Sequence, residues 1–306
     1  MENSTIKIEN ISKSFGEVTA LKNINLEIKK GELFGLIGPD GAGKTTLFKI
    51  LVTLLKPDIG KAILNDFDVT KNITEVREII GYMPGKFSLY QDLSIKENLT
   101  FFATAFGTTL EQNYDLIKDI YTQIEPFKDR KAGDLSGGMK QKLALCCALI
   151  HKPQILILDE PTTGVDAVSR KEFWQMLNTI KNQGITIFVA TPYMDEASLC
   201  ERIALIQNGE IMSIDKPKNI AESFPLNLYK IKSLNKYNLI NTLRKWEKSN
   251  YCYAFGEYIH WASTDNLINE KSIENYLSEN NILEVEASKT NPTVEDTFIY
   301  LMQKTN

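Results

Sequence analysis

Short apolar runs alternate with helical patterns along the first two hundred residues of the chain. Residues 5–8 and 24–28 alternate apolar and polar positions, as half-buried strands do. Residues 33–37 and 155–158 are continuous apolar runs, and residues 185–190 are apolar apart from Thr186, a pattern that is typical of strands buried on both faces. Because helical patterns separate these runs, the order strand–helix–strand predicts an α/β fold with a parallel sheet and crossover helices.

Three segments carry clear helical signals. Residues 47–55 repeat apolar side chains at helical spacing and stop before Lys56-Pro57, which predicts the helix end there. Ser94 and Glu97 have the spacing of a capping box at the start of a second helix. Residues 170–180 form a third helical pattern, between two of the buried strands.

The pattern changes near residue 208. Asn208-Gly209 separates two short apolar runs, which strongly predicts a β-hairpin. From residue 218 onwards the chain is richer in Asn, Tyr and Lys, and Gly256 is its single glycine. We therefore predict one domain over residues 1–217, with a helical subdomain at about 86–150, and a small C-terminal α+β domain over residues 218–306. The second domain is expected to end in an amphipathic helix over residues 294–302.

Composition narrows the class of protein. The chain is 43% hydrophobic and 24% charged, as soluble globular proteins are. Its net charge of −4 disfavours nucleic acid as the main partner. No apolar run approaches the about 20 residues that cross a bilayer, and the polar residues 1–5 do not resemble a signal peptide, so we expect a cytoplasmic protein. The four cysteines match no zinc-ligand spacing and are expected to be reduced core residues.

Residues 38–45 read Gly-Pro-Asp-Gly-Ala-Gly-Lys-Thr and match the phosphate-loop pattern G-x-x-x-x-G-K-[ST]. The segment follows a buried strand and opens a helix, which is the context that this loop requires. Its backbone N–H groups would surround phosphates, with Lys44 placed for the β- and γ-phosphates and the Thr45 hydroxyl for Mg²⁺. The residues predicted to bind the nucleotide are Gly38, Pro39, Asp40, Gly41, Ala42, Gly43, Lys44, Thr45 and Thr46.

Two carboxylates, Asp159 and Glu160, follow the apolar strand at residues 155–158. A strand that ends in Asp is what a nucleotide-bound metal needs, so Asp159 is predicted to bind Mg²⁺ with Thr45. Glu160 can then act on a water molecule and is the candidate catalytic base. The alternative is a helix cap or a solvated loop after a core strand.

A further motif, Leu-Ser-Gly-Gly-Met-Lys-Gln at residues 135–141, precedes that strand. Together with the phosphate loop and the acid pair, it resembles the nucleotide-binding subunits of ABC transporters over about residues 1–215. The resemblance implies a P-loop NTPase with a RecA-like core, an antiparallel β-subdomain and a helical subdomain, which binds ATP with Mg²⁺. The serine and glycine amides open a helix and can form a second anion site.

The family resemblance also implies roles at a dimer interface. In a head-to-tail dimer, the signature residues Ser136, Gly137, Gly138 and Gln141 face the ATP of the partner subunit. Residues 163–166 resemble the D-loop, whose Gly164 and Asp166 cross that interface. Phe15 fits the aromatic residue that stacks on adenine, although a plain core aromatic is the alternative.

The chain departs from the family pattern at two positions that normally sense the γ-phosphate. Gly85 stands where a glutamine is usual in the loop after the strand at residues 79–83, and Gln91 is too distant to replace it. Pro192 stands at the position of the switch histidine. We predict that Thr191 caps a helix there, with Pro192 at its first position. Neither His151 nor His260 is an obvious substitute, and Asp40 replaces the usual asparagine.

These features lead to a functional hypothesis. The chain resembles the ATP-binding subunit of an ABC exporter, of the ABC-2 multidrug type, which works with separate membrane permease subunits at the cytoplasmic membrane. The missing glutamine and histidine predict weak hydrolysis at its own site and favour a heterodimer with a competent second ATPase subunit, with a homodimer as the alternative. A regulatory subunit that does not hydrolyse ATP, or a soluble ABC ATPase unconnected with transport, are the rival hypotheses.

Overall fold

The structure is a computed structural model that describes residues 4–305. Residues 1–3, which contribute to the expectation that there is no signal peptide, lie outside the described residues. The chain divides into two compact units, Met1–Pro217 and Lys218–Asn306. Each unit has its own hydrophobic core.

The first unit combines two sheets with several helices. Its elements are, in chain order, β1 (Ser4–Phe15), β2 (Val18–Lys29), β3 (Leu33–Ile37), α1 (Lys44–Leu51), β4 (Ile59–Leu64), β5 (Phe67–Asp68), α2 (Ile73–Ile79), β6 (Ile80–Met83), α3 (Ile95–Ala105), α4 (Tyr114–Tyr121), α5 (Gly137–Leu149), β7 (Ile155–Asp159), α6 (Ala167–Asn182), β8 (Thr186–Thr191), β9 (Arg202–Gln207) and β10 (Glu210–Asp215).

A six-stranded sheet forms the centre of this unit, with the strand order β10-β9-β3-β8-β7-β6. All its neighbouring pairs are parallel except β9 and β10. Every residue of β3, β7 and β8 is buried, which explains why these strands are apolar apart from Asp159, Thr186 and Thr191. The predicted α/β fold with a parallel sheet is confirmed, and the hairpin of β9 and β10 turns at Asn208-Gly209 as predicted.

A second sheet is antiparallel and has the order β2-β1-β4-β5. It corresponds to the expected antiparallel β-subdomain. Helices α3, α4 and α5 lie between β6 and β7 in the sequence, within the region predicted to be helical. The capping box at the start of α3 is present, because Ser94 accepts a hydrogen bond from the Glu97 amide and the Glu97 carboxylate accepts one from the Ser94 amide.

Helix α1 is shorter than the apolar spacing predicted, since it ends at Leu51 and not at residue 55. Thr53 adopts a left-handed backbone conformation with φ of 63°. The amides of Leu54 and Leu55 both donate to the Lys49 carbonyl, which closes the last turn. The apolar spacing in the sequence extends beyond the end of the helix because Leu55 still packs on the core, although Leu54 is exposed.

The second unit is a small α+β structure. Its elements are α7 (Pro217–Glu222), which begins at the division between the units, then β11 (Asn227–Lys232), α8 (Lys236–Lys245), β12 (Tyr251–Phe255), β13 (Tyr258–Ser263), α9 (Glu270–Glu279), β14 (Glu286–Lys289) and α10 (Val294–Thr305). The sheet has the order β12-β13-β11-β14, and all its pairs are antiparallel. The closing helix begins where the sequence predicted and runs past residue 302.

Two predictions from the sequence concern membrane-spanning helices and the cysteines. None of the helices between residues 4 and 305 is long and apolar enough to span a bilayer. All four cysteines are unpaired and buried, as expected for core residues.

Candidate nucleotide site

Three strands of the central sheet end at the same edge and bring the predicted motifs together. Ile37 at the end of β3 pairs with Thr191 at the end of β8, and Asp159 at the end of β7 pairs with Ala190. The phosphate loop, the acid pair and the loop after β8 therefore meet at the carboxyl edge of the parallel strands. This edge is where open α/β sheets bind their ligands.

The phosphate loop is held by its own lysine and by a distant turn. The Lys44 ammonium is buried and donates to the carbonyls of Gly38, at 2.8 Å, and Pro39, at 3.0 Å. The Gly209 amide donates to the Ala42 carbonyl at 3.1 Å. Gly43 precedes α1 with φ of 105°, a conformation that favours glycine. The loop is thus already ordered, and its helix end is free to receive an anion.

The predicted metal ligands lie together. The Thr45 hydroxyl is close enough to the Asp159 carboxyl to lower the pKa of that carboxyl. Burial raises the pKa of the Asp159 carboxyl, against the lowering effects of the Thr45 hydroxyl and the Lys44 charge, while neighbouring Glu160 raises it further. The Asp159 Oδ1 atom is buried and has no hydrogen-bond partner among the described residues. An unpartnered carboxylate oxygen beside a threonine hydroxyl fits a hard, oxygen-binding cation such as Mg²⁺.

Glu160 faces the phosphate loop from the next position. Its carboxylate lies 3.0 Å from the Lys44 ammonium, and its side chain is 21% exposed. Its backbone has φ of 51°, which is uncommon for a residue with a side chain, and its amide donates to the Ala190 carbonyl. This turn places the Glu160 carboxylate beside the lysine of the phosphate loop.

The remaining predicted nucleotide contacts lie at the rim of the site. The Asp40 side chain is 89% exposed, with a carboxylate oxygen 4.0 Å from the Lys44 ammonium. Thr46 lies in the first turn of α1, and Gly41 is exposed at the tip of the loop. Phe15 is 51% exposed, so it is a surface aromatic and the core alternative is wrong.

The signature and D-loop residues share one surface. Ser136 caps α5 by accepting a hydrogen bond from the Met139 amide at 3.3 Å. Asp166 caps α6 through the amides of Val168 and Ser169. The starts of α5 and α6 lie against each other. A Cβ added to Gly137 would lie 3.5 Å from the Gly164 carbonyl, and one added to Gly138 would lie 2.7 Å from the Ser169 hydroxyl. Gln141 lies about one turn further along α5 and is half-buried.

The two departures from the family pattern lie next to the acid pair. A Cβ on Gly85 would be 3.1 Å from the Asp159 carbonyl, so this position adjoins the site although it carries no side chain. Gln91 lies elsewhere: it is exposed and its carbonyl accepts from the Gly133 amide. Pro192 directly follows β8 at the same edge as the phosphate loop.

The predicted helix cap at Thr191 is wrong. Thr191 is the last residue of β8, and the 3-10 turn that follows spans Met194–Leu199, with Tyr193 at its N-cap position. Pro192 therefore lies outside the turn and not at its first position. The Thr191 hydroxyl accepts from the Tyr193 amide at 3.1 Å, which satisfies that amide before the turn begins.

Both histidines make packing or hydrogen-bond contacts with neighbouring residues. His151 stacks on Phe106, and its Nε2 atom donates to the Ile80 carbonyl at 2.8 Å. His260 belongs to the second unit, where its Nδ1 atom lies 2.8 Å from the Asp296 carboxylate. The Nε2 atom of His151 is therefore hydrogen-bonded at the start of β6. The loop that carries Gly85 lies at the other end of this strand.

Sequence reasoning missed a buried carboxylate beside this edge. Glu196 is 2% exposed and accepts hydrogen bonds from Thr162, Thr191 and Arg170. The sequence places Glu196 five residues after Thr191, but its other partners are 34 and 26 residues away. The family pattern that places Pro192 at the histidine position also contains an acidic residue at Glu196, but that pattern does not indicate that the carboxylate is buried or bonded to Thr162 and Arg170.

The fold and the site together define a P-loop nucleotide-binding protein. A sequence profile of the ABC transporter family matches residues 21–163. The probable multidrug ABC transporter ATP-binding protein YbhF of Escherichia coli (strain K12) is 35% identical over 309 residues, which is 99% of this chain and 53% of YbhF. The Nod factor export ATP-binding protein I of Burkholderia lata is 36% identical over 221 residues, covering 71% of this chain and 73% of that protein. This chain belongs to the family of ABC transporter ATP-binding proteins.

Solved structures agree with this assignment. CbiO1 from Clostridium perfringens, part of the ABC transporter complex cbiONQ, has a TM-score of 0.65 and 29% identity, covering 72% of this chain and 92% of its own. The cassette MJ0796, in a dimeric post-hydrolysis state bound to ADP and Pi, has a TM-score of 0.62 and 29% identity, with 69% and 98% coverage. The chain spans about half the length of YbhF and most of the length of these cassettes.

Proposed function

We propose that this chain binds MgATP and hydrolyses it as the ATP-binding subunit of an ABC exporter, whose substrate passes through separate permease subunits. The observation that carries the proposal is the unpartnered Asp159 oxygen beside Thr45 and Lys44, at the mouth of an ordered phosphate loop. Membership of the ABC transporter family gives this nucleotide site its connection with transport.

Each group at the site has a chemical task in this proposal. The loop amides and the α1 N-terminus bind the phosphates, and Lys44 exchanges its bonds to the loop carbonyls and Glu160 for phosphate oxygens. Thr45 and Asp159 would hold Mg²⁺, which supplies charge neutralisation at the phosphates. Glu160, released from Lys44, orients and deprotonates the attacking water. Phe15 offers an exposed ring for stacking on adenine.

Export is favoured by the names of the relatives. One is called a probable multidrug transporter protein, and the other a Nod factor export protein. The match to YbhF covers 99% of the chain and so includes most of residues 218–306, which supports the multidrug part of the proposed ABC-2 multidrug type. Such a subunit would be cytoplasmic and held at the membrane by the permeases.

Weak hydrolysis at the chain's own site completes the proposal. Gly85 adjoins Asp159 without a side chain, and Pro192 offers no hydrogen bond where the family has an imidazole. The signature and D-loop residues are intact and exposed, apart from the half-covered Gly138 and Gln141, so they can complete a competent site on another subunit. We therefore favour a heterodimer in which this chain supplies one weak site and one functional signature.

Restoring the imidazole tests this proposal. We expect the purified chain to bind MgATP but to turn it over well below about 1 s⁻¹, the lower end of ordinary enzyme rates. Pro192→His should raise kcat by about 10-fold or more, because a positioned polar group contributes about 10²–10⁴-fold. Pro192→Ala is the matched control, since it removes the ring constraint without adding an imidazole, and should leave kcat unchanged.

Two results would contradict the proposal. Wild-type turnover above about 1 s⁻¹ that is abolished by Glu160→Gln would show a fully competent site. Absence of hydrolysis in a single-turnover experiment, in both the wild type and Pro192→His, would favour the regulatory subunit instead.

A further inference from the structure

A buried carboxylate joins the two loops that follow β7 and β8. The Glu196 Oε1 atom accepts from the Thr162 hydroxyl at 2.8 Å and from the Arg170 Nε atom at 3.1 Å. The Oε2 atom accepts from the Thr191 hydroxyl at 2.5 Å. The side chains of Glu196, Thr162 and Thr191 are all buried: Thr162 is 1% exposed and Thr191 is fully covered. Glu196 thus anchors two separate segments through three partners.

The first of these segments is the stretch between Glu160 and α6. Thr162 lies two residues after the candidate base and two before Gly164. Arg170 lies in the first turn of α6, the helix that Asp166 caps. Fixing Thr162 and Arg170 therefore fixes both ends of the predicted D-loop. In the stretch itself Gly164 is exposed and has a φ of 74°, and the Val165 amide donates to the Thr162 carbonyl at 3.3 Å, so the turn is built directly on Thr162.

The second segment is the position that lacks the switch histidine. Thr191 precedes Pro192, and its hydroxyl is bonded to both Glu196 and the Tyr193 amide. Tyr193 follows Pro192, and the Arg170 guanidinium lies 4.2 Å above its ring. Pro192 is therefore held on both sides by groups that contact Glu196 directly or through Arg170.

We propose that Glu196 is a positioning residue, which couples the D-loop to the loop after β8 and so sets the placement of the Glu160 turn. This inference rests on the nucleotide site proposed above, but its geometric part can be tested without nucleotide. Glu196 does not reach the reacting atoms. It acts by keeping the Glu160 and Pro192 turns in one relative arrangement, where a displacement of about 1 Å can change a rate about 100-fold.

The alternative is that Glu196 only stabilises the fold. A buried Arg–Glu pair is weak evidence for stability, because the desolvation of both charges offsets their attraction. In this molecule the carboxylate also satisfies two buried hydroxyls from different loops. A purely stabilising role would lower the melting temperature and leave local motions and hydrolysis unchanged at temperatures where the variant is folded.

Hydrogen exchange of the full-length chain, without nucleotide, tests the coupling. Glu196→Ala should raise amide exchange in residues 160–166 and in residues 191–194 together, by about 10-fold or more at 20 °C, with the strands of the second unit unaffected. Thr162→Val removes one hydroxyl and should raise exchange in the same two segments. Asp195→Asn is the matched control, since Asp195 also pairs with Arg170 but is exposed and contacts neither threonine.

Hydrolysis provides a second readout, measured as single-turnover rate with the chain in excess over MgATP. Glu196→Ala should reduce the rate by about 10-fold or more while the Kd for MgATP stays within about 3-fold. Glu196→Gln should restore much of the rate, because its oxygen can still accept from Thr162 and its amide can donate to the Thr191 hydroxyl.

The proposal is overturned if Glu196→Ala raises exchange in only one of the two segments or in neither. It is also overturned if the variant loses thermal stability and retains the wild-type rate. An unmeasurable wild-type rate together with coupled exchange would refute hydrolysis in the proposed function and would support the Glu196 coupling.

Discussion

Single residues at the nucleotide site are placed at a cost to stability. Asp159 and Glu160 are adjacent carboxylates, and the first of them is buried with an oxygen that has no partner in residues 4–305. The Lys44 ammonium lies near these two carboxylates. It donates hydrogen bonds to the loop carbonyls and pairs with Glu160. Such an arrangement of charge is expected where a cation and phosphates are to be bound.

Asp159→Asn should stabilise the nucleotide-free chain and remove its metal-dependent affinity. The variant loses a buried charge that Glu160 repels, so we expect the melting temperature of the first unit to rise by about 2 °C, or about 1 kcal/mol. The Kd for ATP in the presence of Mg²⁺ should rise by about 10-fold or more, because a metal ligand is lost. Calorimetric melting and titration with ATP, with and without Mg²⁺, measure both effects.

Asp58→Asn is the control for this prediction. Asp58 is a surface carboxylate that accepts hydrogen bonds from Lys13 and the Ser14 amide, so its removal should lower stability slightly. Equal Mg²⁺ dependence in wild type and Asp159→Asn would count against the metal assignment.

The sequence predicts those functional residues that belong to a contiguous motif. The phosphate loop and the acid pair are local patterns, and the fold brings them to one edge because parallel strands end there. Glu196, Thr162 and Arg170 are not predictable in this way, since their contacts depend on how two loops and a helix pack. The exposure of Phe15 also needed the structure, because an aromatic residue at the end of a strand is equally compatible with a core.

Among the elements, the helix starts differ in what their capping residues do. Ser94 is buried and takes part in a two-way capping box with Glu97. Ser136 caps α5 with a longer bond of 3.3 Å and is exposed. The Ser94 cap is therefore a buried, reciprocal pair of hydrogen bonds, whereas the Ser136 cap is a single hydrogen bond open to solvent.

Ser94→Ala should lower the stability of the first unit by about 1 kcal/mol, which corresponds to a fall of about 2–4 °C in melting temperature. Ser136→Ala, the matched variant, should lose less stability because its cap bond is long and open to solvent. Thermal unfolding followed by circular dichroism compares the two. A larger loss for Ser136→Ala than for Ser94→Ala would contradict this difference.

Element boundaries were less predictable than element types. The apolar spacing extended α1 to residue 55, but the left-handed Thr53 ends the helix while Leu55 still packs on the core. The proline at 192 was compatible with a helix start, but the Thr191 hydroxyl is engaged with Glu196 and Tyr193. In both cases tertiary contacts decided a backbone conformation that the local sequence left open.

At the scale of the whole molecule, the chain consists of two units with separate cores. The second unit has a buried polar anchor at Asp296. One oxygen of this carboxylate accepts from the Tyr251 hydroxyl and His260, and the other accepts from the amide and hydroxyl of Thr293. The anchor ties the start of α10 to β12 and β13.

The second unit should therefore lose stability in acid. Burial raises the pKa of Asp296, but the hydrogen bonds from His260 and Thr293 outweigh it, so the net pKa is lowered. A carboxyl with a lowered folded pKa stabilises above its unfolded pKa of about 3.9 and loses that contribution as pH falls below it. Unfolding followed by tryptophan fluorescence in a Trp174→Phe background reports this unit, because Trp174 belongs to α6 of the first unit while Trp246 and Trp261 are stacked on each other in the second.

Asp296→Ala should reduce the stability of the second unit at pH 7 by about 3 kcal/mol, because several buried donors lose their acceptor. It should also remove the part of the acid sensitivity that Asp296 causes. Glu257→Gln is the control, since this exposed carboxylate pairs with Lys232 at the surface and its removal should leave stability nearly unchanged. An acid profile identical in wild type and Asp296→Ala would refute the anchor.

The turn at Gly209 shows how far the demands of the phosphate loop extend along the chain. Its amide holds the Ala42 carbonyl, its own carbonyl accepts from the Lys22 amide, and a Cβ there would lie 2.6 Å from the Ala20 carbonyl. The conformational entropy of the loop has thus been given up during folding, before any ligand arrives. Nucleotide affinity is in this sense prepared by a hairpin more than 160 residues downstream of the loop, and a side chain at position 209 would disturb the loop by displacing that hairpin from Ala20.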